Sequence, residues 1–217
     1  MSTRYDASGA QAEFEPGSRG RVLRNLQGIA GVRAVQLAES EALVAVQDWL
    51  LNRFRIDQRF SADDLCLIHR QWLGQLYPWA GEYRQVNMTK QGFMFAAAQQ
   101  VPRLMGDFEA RYLRVLTPCH GLDEKSLIAA LARTHAELVI VHPFREGNGR
   151  CARLLAWLMA LQAGLPPLDF SAMQGRGKHG YIRAIHAAFS GSYEPMEQVF
   201  AKVIRRTSRA YARGPQA

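Results

Sequence analysis

Apolar residues recur at helical spacing over most of this chain. From Arg33 to Arg53, Val35, Leu43, Val46 and Leu50 share one face, and Ser61-Ala62-Asp63-Asp64 then reads as the start of a second helix carrying Leu65, Ile68 and Leu73. The period resumes over Gln99 to Leu116. It resumes again from Asp123, a suitable N-cap, through Leu127, Ile128, Leu131, His135 and Leu138. Leu154, Leu155, Leu158 and Leu161 mark a strongly apolar helix ending near Gly164-Leu165-Pro166-Pro167, and two further helices are predicted over about Lys178 to Phe189 and Tyr193 to Arg213. One stretch departs from this period: Tyr83-Arg84-Gln85-Val86-Asn87-Met88 alternates, Lys90-Gln91-Gly92 supplies a turn, and Phe93-Met94-Phe95 returns. The expected fold class is therefore mainly α, a helical core with one short β-hairpin.

Composition adds bounds. With 217 residues, 48% hydrophobic and 21% charged, the chain suits one globular domain, and no apolar run approaches the roughly 20 residues that span a bilayer. Residues 1–20 are rich in Gly, Ser, Ala and charge, with Pro16-Gly17 as a turn signal, and are expected to form an extended or loosely held arm. Met1 to Glu15 contain no apolar signal core, so the cytoplasm is the default compartment, with secretion as an effector left open. Cys66, Cys119 and Cys151 are odd in number and never paired as C-x-x-C, which reads as three free thiols. The net charge of +8 invites a nucleic-acid reading, but Lys202, Arg205, Arg206, Arg209 and Arg213 carry five of those charges in a stretch without acids. The basicity is a tail property, residues 206–217 form a basic tail, and neither a nucleic-acid nor a membrane partner is expected.

The chemistry gathers in His142-Pro143-Phe144-Arg145-Glu146-Gly147-Asn148-Gly149-Arg150. Gly147 and Gly149 permit positive φ and close approach of backbone N–H groups to a ligand. A helix starting near Asn148 would aim its positive dipole end and free N–H groups back at the loop. Arg150 and Arg153, three apart on that helix, share a face and offer two guanidinium forks, which suits a polyphosphate better than a single phosphate. Glu146 is the lone carboxylate, a hard ligand of the kind that holds Mg²⁺ together with phosphate oxygens and water. His142 alone in the segment changes protonation near neutral pH, which qualifies it as a general base.

This segment, with Cys151-Ala152-Arg153, resembles the Fic (filamentation induced by cAMP) motif H-P-F-x-[D/E]-G-N-G-R-x-x-R at every fixed position. Leu67-Ile68-His69-Arg70, Trp79-Ala80-Gly81-Glu82-Tyr83-Arg84, Gly180-Tyr181-Ile182 and Tyr193-Glu194-Pro195-Met196 extend the resemblance over roughly residues 60–205, and residues 21–205 are assigned to the domain. The resemblance implies a helical core, ATP as donor, Mg²⁺ at Glu146 and His142 as the base. It places Gly147, Asn148 and Gly149 on the α- and β-phosphates, with Arg150 and Arg153 on the distal ones. Phe144 becomes a buried anchor. Val86, Asn87, Met88, Lys90 and Phe93 form a flap that lays a target segment alongside the site as an added strand. The implied product is AMP on a Ser, Thr or Tyr hydroxyl. The inhibitory motif [S/T]-x-x-x-E-[G/N] of many relatives has no clean copy, because Ser190-Gly191-Ser192-Tyr193-Glu194 is followed by Pro195. That favours antitoxin-paired members, in which a small antitoxin covers Arg153 in trans. The target that such members suggest is a bacterial type II topoisomerase, DNA gyrase or topoisomerase IV, at its B-type subunit, whereas members injected as effectors suggest host GTPases.

Other readings weigh less. Transfer of UMP, phosphocholine or phosphate is the near alternative, and a non-catalytic binding protein the next, which an intact His142 disfavours. His69 and His135 sit among apolar residues and read as core histidines, no H-E-x-x-H spacing supports zinc, and Lys90 at a hairpin tip is more often a solubility device. Gly175-Arg176-Gly177-Lys178-His179-Gly180 matches G-x-G-x-x-G without the preceding strand that a dinucleotide site needs.

Overall fold

The computed structural model describes residues 6–7, 10–90 and 93–213. Its helices are α1 (Val32–Arg53), α2 (Ala62–Leu73), α3 (Val101–Phe108), α4 (Arg114–Leu116), α5 (Glu124–Val141), α6 (Asn148–Gln162), α7 (Lys178–Phe189) and α8 (Glu194–Ala212). Short strands β1 (Asp6–Ala7), β2 (Met88–Lys90) and β3 (Phe93–Met94) complete the order. The mainly helical class is as expected. Contacts gather the chain into two compact units, each built from separated segments.

The first unit comprises Met1–Arg55, Ser61–Asp107 and Val141–Asn148. Here α1 packs on α2, whose start follows the expected signal: Ser61 Oγ accepts from the Asp64 N–H at 3.1 Å and Asp64 Oδ2 from the Ser61 N–H at 2.9 Å. Val35, Val46, Leu50, Leu65, Ile68, Trp72 and Leu73 form the buried interior, while Leu43 is only half-buried.

Two expectations change in this unit. Strand structure begins at Met88 instead of Tyr83, because Arg84 turns inward and binds carbonyl groups where a ladder would need it to alternate; the tip, Gln91 and Gly92, lies outside the described residues. Residues 10–20, expected to be extended or loosely held, are tied down. Ala10–Ala12 form a 3-10 turn, Phe14 bridges Leu23, and Glu15 Oε2 accepts from the Asn25 N–H at 3.0 Å. The hairpin also gains a third strand, since β1 pairs antiparallel with β2.

The second unit comprises Ile56–Phe60, Phe108–Ile140 and Gly149–Ala217. Asp123 caps α5 through the Ser126 N–H at 2.7 Å, and Gly164, at φ +79°, closes the C-terminus of α6 while the Leu165 N–H reaches back to the Ala160 carbonyl. Residues 109–113 form a π-helical turn within the predicted Gln99–Leu116 helix. Gly175–Gly177 is a 3-10 turn directly before α7, and the element immediately before it is another 3-10 turn, Phe170–Met173, not a strand. No helix among the described residues is long and apolar enough to cross a membrane.

In the middle of this unit His135 donates to, or accepts from, the Tyr181 hydroxyl at 2.9 Å and meets Phe200 edge-on. Burial, with Arg153 nearby acting in the same direction, pulls the His135 imidazole down from 6.5 to about 3. The unfolded chain takes up this proton near pH 6.5 and the folded chain only near pH 3. Stability therefore rises with pH between those values and falls on acidification, by about 1.4 kcal/mol per pH unit. In urea unfolding at pH 6.5 and about pH 4.5, His135→Gln should lose roughly 2 kcal/mol less than the parent chain. Equal losses would show that His135 is already charged in the fold.

Candidate active site

Helix α5 ends at Val141 and the chain turns at His142, a non-glycine residue in the left-handed region at φ +53°. A side chain rarely holds that conformation without support from its surroundings. The support is Arg84. Its Nε donates to the His142 carbonyl at 2.7 Å and its own backbone N–H to the Pro143 carbonyl at 2.8 Å, while Nη1 and Nη2 reach the carbonyls of Val86 and Ala96 at 2.9 and 2.6 Å. One buried guanidinium thus joins the motif loop to both arms of the hairpin. Burial lowers it to about 10, so it keeps its charge at neutral pH. The His142 ring is buried and lies flat on Phe95, with centroids 3.8 Å apart.

Phe144 is fully buried, as the anchor role requires, and stacks on His69 at 3.9 Å. His69 Nδ1 accepts from the Gly81 N–H at 2.8 Å, which leaves the proton on Nε2 to donate to the Glu146 carbonyl at 3.0 Å. It is the core histidine expected, and it also holds the motif loop. Gly147 sits at φ +82°, and a Cβ there would lie 2.6 Å from Trp72 Cζ3.

Several polar groups of this loop bind one another. Asn148 Oδ1 accepts from the Phe144 N–H and Nδ2 donates to the Phe144 carbonyl, each at 2.8 Å, so both polar ends of this side chain serve the loop. The Gly147 N–H donates to Glu146 Oε1 at 2.9 Å. Helix α6 opens at Asn148, so its positive dipole end lies at this loop. Arg150 and Arg153 are half-buried on that helix, and Arg153 Nη1 comes within 3.8 Å of where a Gly149 Cβ would stand, so its guanidinium turns back toward the start of the helix. Glu146 is buried, and among the described residues no group of three His, Cys, Asp or Glu could hold a metal. A single carboxylate of this kind fits a cation whose remaining ligands are phosphate oxygens and water.

Of the expected docking residues, Val86 and Met88 are buried with Phe95 packed on them, and Asn87 Oδ1 accepts from the Ala98 N–H at 2.9 Å. The Val86 and Met88 side chains are thus turned into the protein, while Asn87 is exposed with its Oδ1 engaged. Lys90 is exposed, and Phe93 is half-buried edge-on to Phe95. Met94, 75% exposed, is the apolar side chain that the hairpin does offer outward.

Residues 59–160 match the Fic/DOC family. The chain is 32% identical over 143 residues to the protein adenylyltransferase VbhT of Bartonella schoenbuchensis, covering 66% of this chain and 30% of that protein. It is 30% identical over 180 residues to the protein adenylyltransferase Fic of Nematostella vectensis, covering 81% and 39%. Among solved structures, the BepC effector of Bartonella tribocorum with bound AMPPNP superposes with a TM-score of 0.67 at 24% identity, over 83% of this chain and 91% of that one. This chain carries a Fic/DOC domain. It spans only 30% and 39% of the length of these two curated relatives.

Within the Fic/DOC domain three contributors were not singled out by sequence reasoning: Arg84, Phe95 and Met94. Arg84 and Phe95 act on His142 from 58 and 47 residues away in sequence, and although both lie in segments the sequence marks, no local pattern reveals that contact. Met94 had a signal, an apolar residue on the outward face of a predicted strand.

Proposed function

We propose that the chain transfers AMP from ATP to a Ser, Thr or Tyr hydroxyl of a protein. The observation that carries this reading is the continuity of His142, Glu146 and the opening turn of α6 within one braced loop, with Arg150 and Arg153 on the helix that follows. His142 takes the proton of the attacking hydroxyl, that oxygen forms its bond to the α-phosphorus, and the bond to the bridging oxygen of pyrophosphate breaks. The helix N-terminus and the two arginines hold the phosphates in place. Glu146 is the residue that would hold Mg²⁺, which when bound neutralises phosphate charge. Relatives named protein adenylyltransferases support AMP over UMP, phosphocholine or phosphate.

Regulation and targets belong to the same reading. Glu194, the glutamate with inhibitory spacing, is exposed as the first residue of α8. Because Pro195 interrupts that motif, the reading assigns cover of Arg153 to a glutamate from another helix, such as that of a small antitoxin, with DNA gyrase or topoisomerase IV as the proposed target.

ATP labelled in the α- or the γ-phosphate, incubated with Mg²⁺, the chain and a bacterial lysate, tests the reaction. α-Label should appear on protein and be lost with His142→Ala; γ-label that depends on the chain, without α-label, would make it a kinase.

A further inference from the structure

We propose that Asp6 and Ala7, anchored through Gln11 a few residues on, are a tethered occupant of the hairpin, holding the edge of β2 that an extended segment of a target would otherwise take. The Phe95 N–H donates to the Met88 carbonyl at 3.1 Å, so the backbone polar groups of Met88 face β3. Alternation along the strand then turns the N–H and carbonyl of Thr89 to the opposite edge, where Asp6 stands in register with it and Ala7 with Met88. A two-stranded hairpin leaves such an edge ready for pairing with another chain, and here the protein's own N-terminal segment takes it.

Two further anchors belong to the same segment. The Gln11 carbonyl accepts from Arg145 Nε at 2.8 Å, and Gln11 Oε1 accepts from the Gln85 N–H at 2.9 Å. The segment is thereby held to the hairpin, to the stretch leading into it and to the motif loop at Arg145. The hairpin itself lies against the proposed base through Phe95, 3.8 Å from His142, so whatever pairs with it is presented at the site. A short tethered strand competes at an effective concentration on the order of millimolar, enough to exclude a weak intruder and still yield to a well-matched one. The segment therefore acts as a selectivity filter on targets. That consequence rests on the transferase reading; the pairing does not.

Asp6→Pro in the full chain removes the N–H that faces Thr89. Measured without ATP, exchange of the Thr89 amide should quicken by about tenfold in this variant. A fluorescent peptide of residues 1–12, added in trans, should bind the variant about tenfold more tightly than the parent chain. Equal exchange or equal peptide affinity in the two proteins overturns the proposal. The variant should also label lysate proteins several-fold faster from α-labelled ATP; unchanged labelling would overturn the filtering role. Absence of α-label with both proteins, alongside the expected exchange and peptide results, would instead sink the transferase reading and leave the tethered occupant standing.

Discussion

His142→Asn should lower α-phosphoryl transfer by about 10³-fold while leaving the fold intact and the KM for ATP within a few-fold of the parent. Asparagine suits the test because it tolerates the left-handed backbone that His142 adopts at φ +53°. The bonds from Arg84 reach backbone carbonyls at positions 142 and 143, so the substitution keeps them. What disappears is the imidazole and its stack on Phe95, worth about 1 kcal/mol as an aromatic pair. A loss confined to kcat identifies a base that acts on the reacting hydroxyl. A tenfold rise in KM for ATP at unchanged kcat would make His142 a binding group and remove the base from the mechanism.

Gly147→Ala is expected to destabilise the protein by about 3 kcal/mol and to abolish nucleotide binding with it. Two costs combine. A non-glycine residue at φ +82° pays for the left-handed region, roughly 1–2 kcal/mol. The new Cβ would also stand 2.6 Å from Trp72 Cζ3 and 3.0 Å from Cη2, against a ring that is 1% exposed and whose indole N–H donates to the Glu39 carbonyl at 2.9 Å. Trp72 cannot step aside without breaking that bond, and overpacking of this kind costs about 1–3 kcal/mol. Because the Gly147 N–H holds the Glu146 carboxylate, displacement of the loop moves the proposed Mg²⁺ ligand as well. Urea unfolding with a Trp72→Leu double-mutant cycle separates the causes, since a smaller side chain relieves the clash and leaves the dihedral penalty. A variant within about 0.5 kcal/mol of the parent would show that the loop adapts freely.

The hydrophobic period was a good guide wherever the determining interactions are local. It gave α7 with its observed bounds, α1 to within one residue, and the Ser61–Asp64 start of α2, where the capping side chain lies three residues from its partner. The motif was legible for the same reason: a histidine, a carboxylate, two glycines and three arginines within twelve positions constrain chemistry by their types alone. Local reading went astray at the hairpin, where the alternation of Tyr83 to Met88 reflects a buried cation at Arg84. It went astray again over residues 10–20, where a Gly- and Ser-rich composition hides a segment fastened by Gln11.

Residue types and local spacing were enough for the helical class, the resemblance carried by His142 to Arg153, and the candidate roles of those residues. The tertiary structure decided which polar groups are already engaged: both ends of the Asn148 side chain, the Gly147 N–H, and the carbonyls of His142 and Glu146. It also decided that His69, Arg84, Phe95 and Gln11 shape the site. Their hydrogen bonds join positions 77, 58 and 134 residues apart for His69, Arg84 and Gln11 respectively. Periodicity registers only neighbours within a turn or two of chain, so pairings over such separations become visible only when the folded backbone brings donor and acceptor together.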